Sequence, residues 1–167
     1  GRHERVLVRD DKPTFYIYRM VMDGRTQTGV ACVASVRAYE QHRIRRHELT
    51  RPDKENDRVR NIAALNAQTG PVLLAYRAND TLRELLGIAT NAAPLFSVSG
   101  PNDVVHTVWD THPATDATLQ TEFDTLEALY IADGHHRSAA AARVAAQRRG
   151  SADASHEFFI AVAFPHD

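Results

Sequence analysis

Six consecutive residues, Asp133-Gly134-His135-His136-Arg137-Ser138, set a carboxylate, two imidazoles, a guanidinium and a hydroxyl around one glycine. They follow the short apolar run Leu129 to Ala132 and precede the alanine-rich run Ala139 to Gln147. That order reads as a strand entering a tight turn and leaving as a helix. A helix start leaves about four backbone N–H groups without intrahelical acceptors and carries the positive end of the helix dipole. Gly134 lets a ligand approach the backbone closely. The chemistry is anion binding, with phosphate as the expected guest. Arg137, one turn into the helix, is the expected clamp, because a guanidinium grips phosphate oxygens with two parallel bonds. His135 and His136 stand at the mouth, either as donors whose charged forms an anion favours or as an ordinary solvated pair. Gly134 and Ser138 complete the expected phosphate-binding set. Asp133 has two readings: it assists Mg2+ through water, as hard oxygen ligands do, or it ties down the turn by an Asx hydrogen bond. The whole corner also has a plain alternative, a strand-turn-helix bend with surface histidines.

A second group lies upstream, in Arg46-His47-Glu48-Leu49-Thr50-Arg51. By residue type alone, Glu48 is as well suited to pair with Arg45, Arg46 or Arg51 on a solvated loop as to face a ligand. Thr50, Arg51, Lys54 and Arg58 are candidates to line the same cleft as the corner, with the helix start near Asp53 as a second anion contact. Asn66, Gln68 and Thr69 either add polar contacts or end a helix. Spacing does not bring Glu48 to Arg137.

The elements that must hold these groups alternate in period. Thr14 to Val21 is rich in aromatic and β-branched residues, Asp23-Gly24 is a turn signal, and Gln27 to Val36 continues the pattern, so a hairpin is expected. A short helical or irregular piece, Arg37 to Arg43, and a polar loop, His47 to Pro52, come next. Asp53 is then expected to cap a helix reaching Gln68, with Val59, Ile62 and Leu65 inward and Gly70 as its stop. Pro71 to Arg77 reads as a strand, and Asp80 opens a helix to Ala89 with Leu82, Leu85 and Leu86 inward. Leu95 to Val98 and Val104 to Trp109 form a second expected hairpin across Gly100-Pro101-Asn102-Asp103. Asp116 is expected to cap a helix carrying Leu119 and Phe123. Ala128 to Ala132 is the strand that delivers the corner, His136 to Arg149 the helix that leaves it, ending at Gly150, and Phe158 to Phe164 the final strand. This pattern predicts an α+β, mixed α/β layer.

The strand, Asp-Gly-His-His-Arg turn and small-residue helix resemble the phosphate-binding corner of the ParB/sulfiredoxin-like superfamily, in particular its free-serine kinases. Arg46 to Thr50 together with Ala132 to Arg137 is more closely similar to a large bacterial family of uncharacterised proteins. That family carries a His-Glu-(Lys or Leu)-Thr segment and a later Ala-Asp-Gly-His-His-Arg, and the similarity runs from Phe15 through Pro165-His166-Asp167. The resemblance to the kinases implies a ParB/sulfiredoxin-like core and a nucleotide-dependent phosphotransferase acting on a small hydroxyl compound, serine-like in the nearest case, with ADP or ATP and Mg2+. It implies that Glu48, the position matching the kinases' His-Glu pair, takes the proton from the substrate hydroxyl, with His47 beside it and Asp133 assisting. Phosphoryl transfer needs positioning, charge neutralisation and a base, and little else. Two departures narrow the comparison. His135 fills the position of the sulfiredoxins' cysteine, so sulfinic-acid reduction is not expected. The Gly-Glu-Arg-Arg corner of the chromosome-partitioning members is matched only at Gly134 and Arg137, so a DNA-loading nucleotide switch is not expected. The competing class is a nucleotide- or anion-binding module that regulates a partner and has no chemistry of its own.

Composition bounds these readings. With 167 residues and 43% hydrophobic content the chain suits one core and one domain. The net charge of −1 covers a mixed cluster of Arg43, Arg45, Arg46, Arg51, Lys54, Arg58 and Arg60 against Glu48, Asp53, Glu55 and Asp57. Mixed signs argue against nucleic acid as a partner, which needs a net basic stripe. Cys32 is the only cysteine, which excludes a disulfide framework and a Cys-x-x-Cys pair. No His-Glu-x-x-His spacing supports a metal-dependent hydrolase. No stretch approaches the roughly 18 apolar residues of a membrane span, and the amino terminus has no signal-peptide layout, so a cytoplasmic location is the default expectation. Gly1-Arg2-His3 and Pro165-His166-Asp167 read as cut ends, so the chain is expected to be an internal piece of a longer protein.

Overall fold

Asp23 and Gly24 both take left-handed backbone, with φ of 50° and 74°, the conformation that matches a two-residue turn to the twist of a hairpin. Strand β1 (Tyr16–Met22) therefore folds back on β2 (Arg25–Ser35), with Tyr16 opposite Ala31 and Met22 opposite Arg25. The computed structural model describes residues 10–166, and the expected cut end at Gly1-Arg2-His3, like Asp167, lies outside them. After the hairpin come α1 (Val36–Glu40), β3 (Ile44–Arg45), α2 (Pro52–Leu65), β4 (Val72–Arg77), α3 (Asp80–Ala89), β5 (Phe96–Ser99), β6 (Val105–Asp110), α4 (Pro113–Thr125), β7 (Leu129–Asp133), α5 (His135–Arg148) and β8 (Phe158–His166).

The strands form one mixed sheet in the order β3-β7-β4-β8-β2-β1-β6-β5. Pairings β3–β7 and β4–β8 are parallel and the others antiparallel, so the expected α+β class holds. One cross-sheet row shows how the core is built. Trp109, Ile17, Val30, Ala163, Leu74 and Ile131 stand opposite one another in successive strands, and all are buried. Val36 and Tyr39 of α1, Leu82 of α3, Leu119 of α4 and Ala141 and Ala145 of α5 pack against that row. The alanines let α5 come close to the sheet. Among the described residues, no helix is long and apolar enough to cross a membrane.

Several expected helix ends differ in detail. Helix α2 starts after Arg51 rather than Asp53, because Pro52 occupies the first helical position, where its missing N–H costs nothing. It ends at Asn66 in left-handed backbone, φ 46°, before Gly70 is reached. No residue of α2 is fully buried, and Leu65 is exposed, because α2 packs on α5 and not on the sheet. Asn79 caps α3, its Oδ1 accepting from Leu82 N–H at 2.7 Å, and leaves Asp80 as the first helical residue. His112 caps α4. Asp116 instead accepts from the Phe15 N–H at 3.1 Å and from the Thr14 hydroxyl at 3.2 Å, tying α4 to the approach to β1.

Candidate functional site

Strand β7 ends at Asp133, opposite Leu73, after a register shift between Leu73 and Leu74 in its partner β4. Gly134 then turns the chain at φ 95°. Glycine is required there by backbone and by space: a Cβ would lie 3.2 Å from Val72 Cα and 3.2 Å from Arg137 Nη1. Helix α5 begins at once, and no side chain caps it. The Gly134 carbonyl takes the N–H groups of Arg137 and Ser138 at 2.9 and 3.0 Å, so the earlier first-turn N–H groups are the ones left without intrahelical acceptors.

The corner's side chains diverge. Arg137 reaches back to the residue before β4, where Nη1 donates to the Pro71 carbonyl, and its Nη2 donates to Asp133 Oδ2 at the end of β7 at 3.2 Å. Asp133 thus serves as Arg137's partner, a role neither sequence reading anticipated. Together they border a cleft of about 510 Å³, which Arg58, Asn61, Thr69 and Gly70 also line. Gln68 in its wall acts as a strand substitute: its amide donates to the Phe158 carbonyl at 2.9 Å and accepts from Ile160 N–H at 3.1 Å. Ser138 is fully buried, and its hydroxyl donates to the His135 carbonyl at 3.0 Å, so it faces the helix and not the mouth.

The two histidines have different surroundings. His136 is half-buried, and its Nε2 accepts the backbone N–H of Arg51 at 3.2 Å. His135 is only 6% exposed, which the picture of a solvated pair does not fit. Its Nδ1 lies 3.8 Å from Glu48 Oε2, its ring meets that of His47 edge-on with centroids 4.6 Å apart, and its Nε2 is buried without a partner. Burial holds the His135 pKa below the ordinary histidine value, helped by His47 and opposed by Glu48 and Asp133.

Glu48 therefore stands between two imidazoles, with His47 Nε2 also 3.8 Å from its other oxygen. Its possible arginine partners are occupied elsewhere. Arg45 pairs with Glu127 at 2.8 Å, Arg46 donates to Tyr39 Oη at 3.3 Å, and Arg51 grips Asp53 with Nε at 3.2 Å and Nη2 at 2.9 Å. Thr50 donates to Glu55, whose other oxygen takes Arg143 Nη1 at 3.3 Å, so the end of the loop is braced to α5 through α2. This brace was not anticipated. Its only trace in the sequence is Pro52, which places Glu55 in the first turns of α2 facing the loop.

The arrangement can receive an anion at the start of α5, with a carboxylate and imidazoles at its lip. Among the described residues no three His, Cys, Asp or Glu side chains gather to hold a metal ion. The fold and site thus define an α+β protein whose strand-to-helix corner faces a polar loop that carries Glu48. Over residues 2–167 the chain matches the family described as "Protein of unknown function (DUF1015)", and it belongs to that family. No curated protein and no solved structure matches it.

Proposed function

We propose that this protein is a cytoplasmic, nucleotide-dependent phosphotransferase acting on a small hydroxyl-bearing metabolite, with serine as the first compound to test. The observation that carries this reading is the position of Glu48 Oε2, 3.8 Å from His135 at the uncapped start of α5. A candidate base then lies beside a helix start of the kind that binds phosphate. The likeness of the corner to the free-serine kinases of the ParB/sulfiredoxin-like superfamily supports the same assignment.

In this reading the first-turn amides of α5, His136 and Arg137 hold the nucleotide phosphates, and Arg51 approaches from the start of α2. Glu48 takes the proton of the acceptor hydroxyl as that oxygen bonds to the terminal phosphorus. The bond from phosphorus to the bridging oxygen breaks, and its electron pair leaves with the shortened nucleotide. Asp133 holds Arg137 in place, and Mg2+ would travel on the phosphate oxygens of ATP or ADP, because the corner offers it no cluster of side chains.

A second reading, a regulatory nucleotide- or anion-binding module, is favoured by one observation. Arg137 and Arg51 are both already paired with carboxylates, Asp133 and Asp53, so an arriving anion exchanges partners and shifts the start of α2. Calorimetry of the intact protein with ATP, ADP and inorganic phosphate, followed by 31P NMR with serine and other small alcohols, separates the two. Transfer that disappears in Glu48→Gln supports the enzyme. Binding that survives in Glu48→Gln, with no turnover by the wild type, supports the module. Absence of all binding removes both.

A further inference from the structure

We infer that His135 is a positioning residue for Glu48: its sealed, neutral imidazole offers an Nδ1–H to the carboxylate and takes no part in holding phosphate. The inference deepens the phosphotransferase reading and rests on it for the role of Glu48.

The geometry decides where the single ring proton sits. Nδ1 faces Glu48 Oε2 at 3.8 Å, so a bare lone pair there would oppose a carboxylate, whereas an N–H is attracted to it. Nε2 is buried with no acceptor in reach, so a proton placed there would be a buried, unsatisfied donor. Nδ1–H with a bare Nε2 is the arrangement that satisfies the nitrogen able to find a partner. A second proton has no place to go, and the positive end of α5 also opposes it. The charged and titratable groups that face the ring are His47 and Glu48 from the loop, Asp133 from β7 and the adjacent His136. Burial outweighs the two carboxylates, so the ring resists a second proton more than an ordinary histidine does.

The ring cannot wander. Its residue is 6% exposed, its backbone opens α5, and the edge-on contact with His47, at an interplanar angle of 86°, closes the outer side. Glu48, by contrast, is 62% exposed on a loop and has no direct hydrogen bond to hold it. A separation of 3.8 Å is the spacing of an ion pair and longer than a hydrogen bond of roughly 3 Å. Such contacts tighten when a bound substrate expels water. A fixed donor beside an exposed carboxylate, once the contact tightens, engages one Glu48 oxygen and presents the other to the acceptor hydroxyl.

The test uses 15N-labelled intact protein and long-range imidazole NMR. The wild type is expected to show His135 as the Nδ1–H tautomer with a bare Nε2 from pH 8 down to 7, unchanged on addition of inorganic phosphate. The Nδ1–H resonance should move upfield in Glu48→Gln, where the carboxylate is gone. In turnover, His135→Leu should lower kcat about tenfold or more, the scale of a misplaced group, with less effect on the nucleotide KM. His135→Asn, which keeps an N–H near the Nδ1 position, should recover part of that loss. An Nε2–H tautomer, a doubly protonated ring at pH 7 or on phosphate addition, or an Nδ1–H signal indifferent to Glu48→Gln would overturn the inference even if His135→Leu does not fold. The NMR readouts need no turnover. Absence of phosphotransfer with the His135–Glu48 signature intact therefore counts against the enzyme reading alone.

Discussion

The backbone N–H of Arg51 donates to Nε2 of His136 at 3.2 Å, across 85 residues of sequence. That bond seats the Glu48 loop on the corner and makes His136 an acceptor at Nε2, with its proton on Nδ1. It also joins the helix starts, since Arg51 is the residue before α2 and His136 lies in the first turn of α5. Arg46 on Tyr39 holds the other side of the loop, so Glu48 hangs between two anchors.

Glu48→Gln should lower phosphotransfer by about 100-fold or more, the usual contribution of a positioned base. Removing a negative charge from an anion site should leave nucleotide affinity equal or higher. Calorimetry and 31P NMR on one preparation measure both, and equal loss of binding and turnover would contradict the assigned role.

Gly134→Ala forces a side chain onto left-handed backbone and against Val72 and Arg137. The expected cost is about 1–3 kcal/mol, typical of strained backbone at a tight site, read from urea unfolding. If Arg137 holds phosphate as proposed, phosphate affinity should fall with it, because the guanidinium is displaced. Wild-type stability in this variant would be inconsistent with the corner as described.

Ser138→Ala separates a hydroxyl turned into the helix from a phosphate ligand. Its hydroxyl donates to the His135 carbonyl, so the variant should lose at most about 1 kcal/mol, the net value of one such bond. Phosphate affinity should stay within twofold. A tenfold loss of affinity at unchanged stability would return Ser138 to the mouth.

Acid should destabilise the fold through His135. Burial holds its pKa below 6.5, so as pH falls the unfolded chain binds the proton first. Stability is full above about pH 6.5 and declines as pH drops through the lower folded value. Thermal unfolding between pH 8 and 5 should show a steeper acid slope for the wild type than for His135→Asn. Parallel slopes would exclude His135 as the source.

Glu55→Ala should loosen the loop from α5, because Glu55 alone joins Thr50 to Arg143. Glu55 is 17% exposed and Arg143 41%, so solvent screening limits the cost of losing the brace to about 1 kcal/mol. Hydrogen exchange of the amides around Thr50 should rise, whereas that of β8 should not.

Much of the fold was legible because the relevant forces are local. Asp23-Gly24, Gly134 and Gly150 each sit where the backbone has positive φ, and few residues tolerate that conformation. The strands and helices follow from apolar spacing in the same way. Caps were less legible. Asp53 and Asp116 have good N-cap side chains, but Arg51 draws one away and Thr14 with Phe15 the other. On the expected inward face of α2, Val59 and Ile62 are half-buried and Leu65 is exposed, because α2 packs on α5 and not on the sheet.

The amino-acid order by itself determined that a strand would run into a glycine turn and then a helix whose opening residues are two histidines and an arginine. Short-range sterics and unpaired amides leave that segment little choice. Only the tertiary structure decided which charges meet there. The sheet order brings β7 beside β4, placing Arg137 on the Pro71 carbonyl as well as on its local partner Asp133, and the packing of α2 on α5 brings Glu48 to His135. Contacts between segments distant in sequence depend on the closure of the whole fold, and no local pattern encodes them.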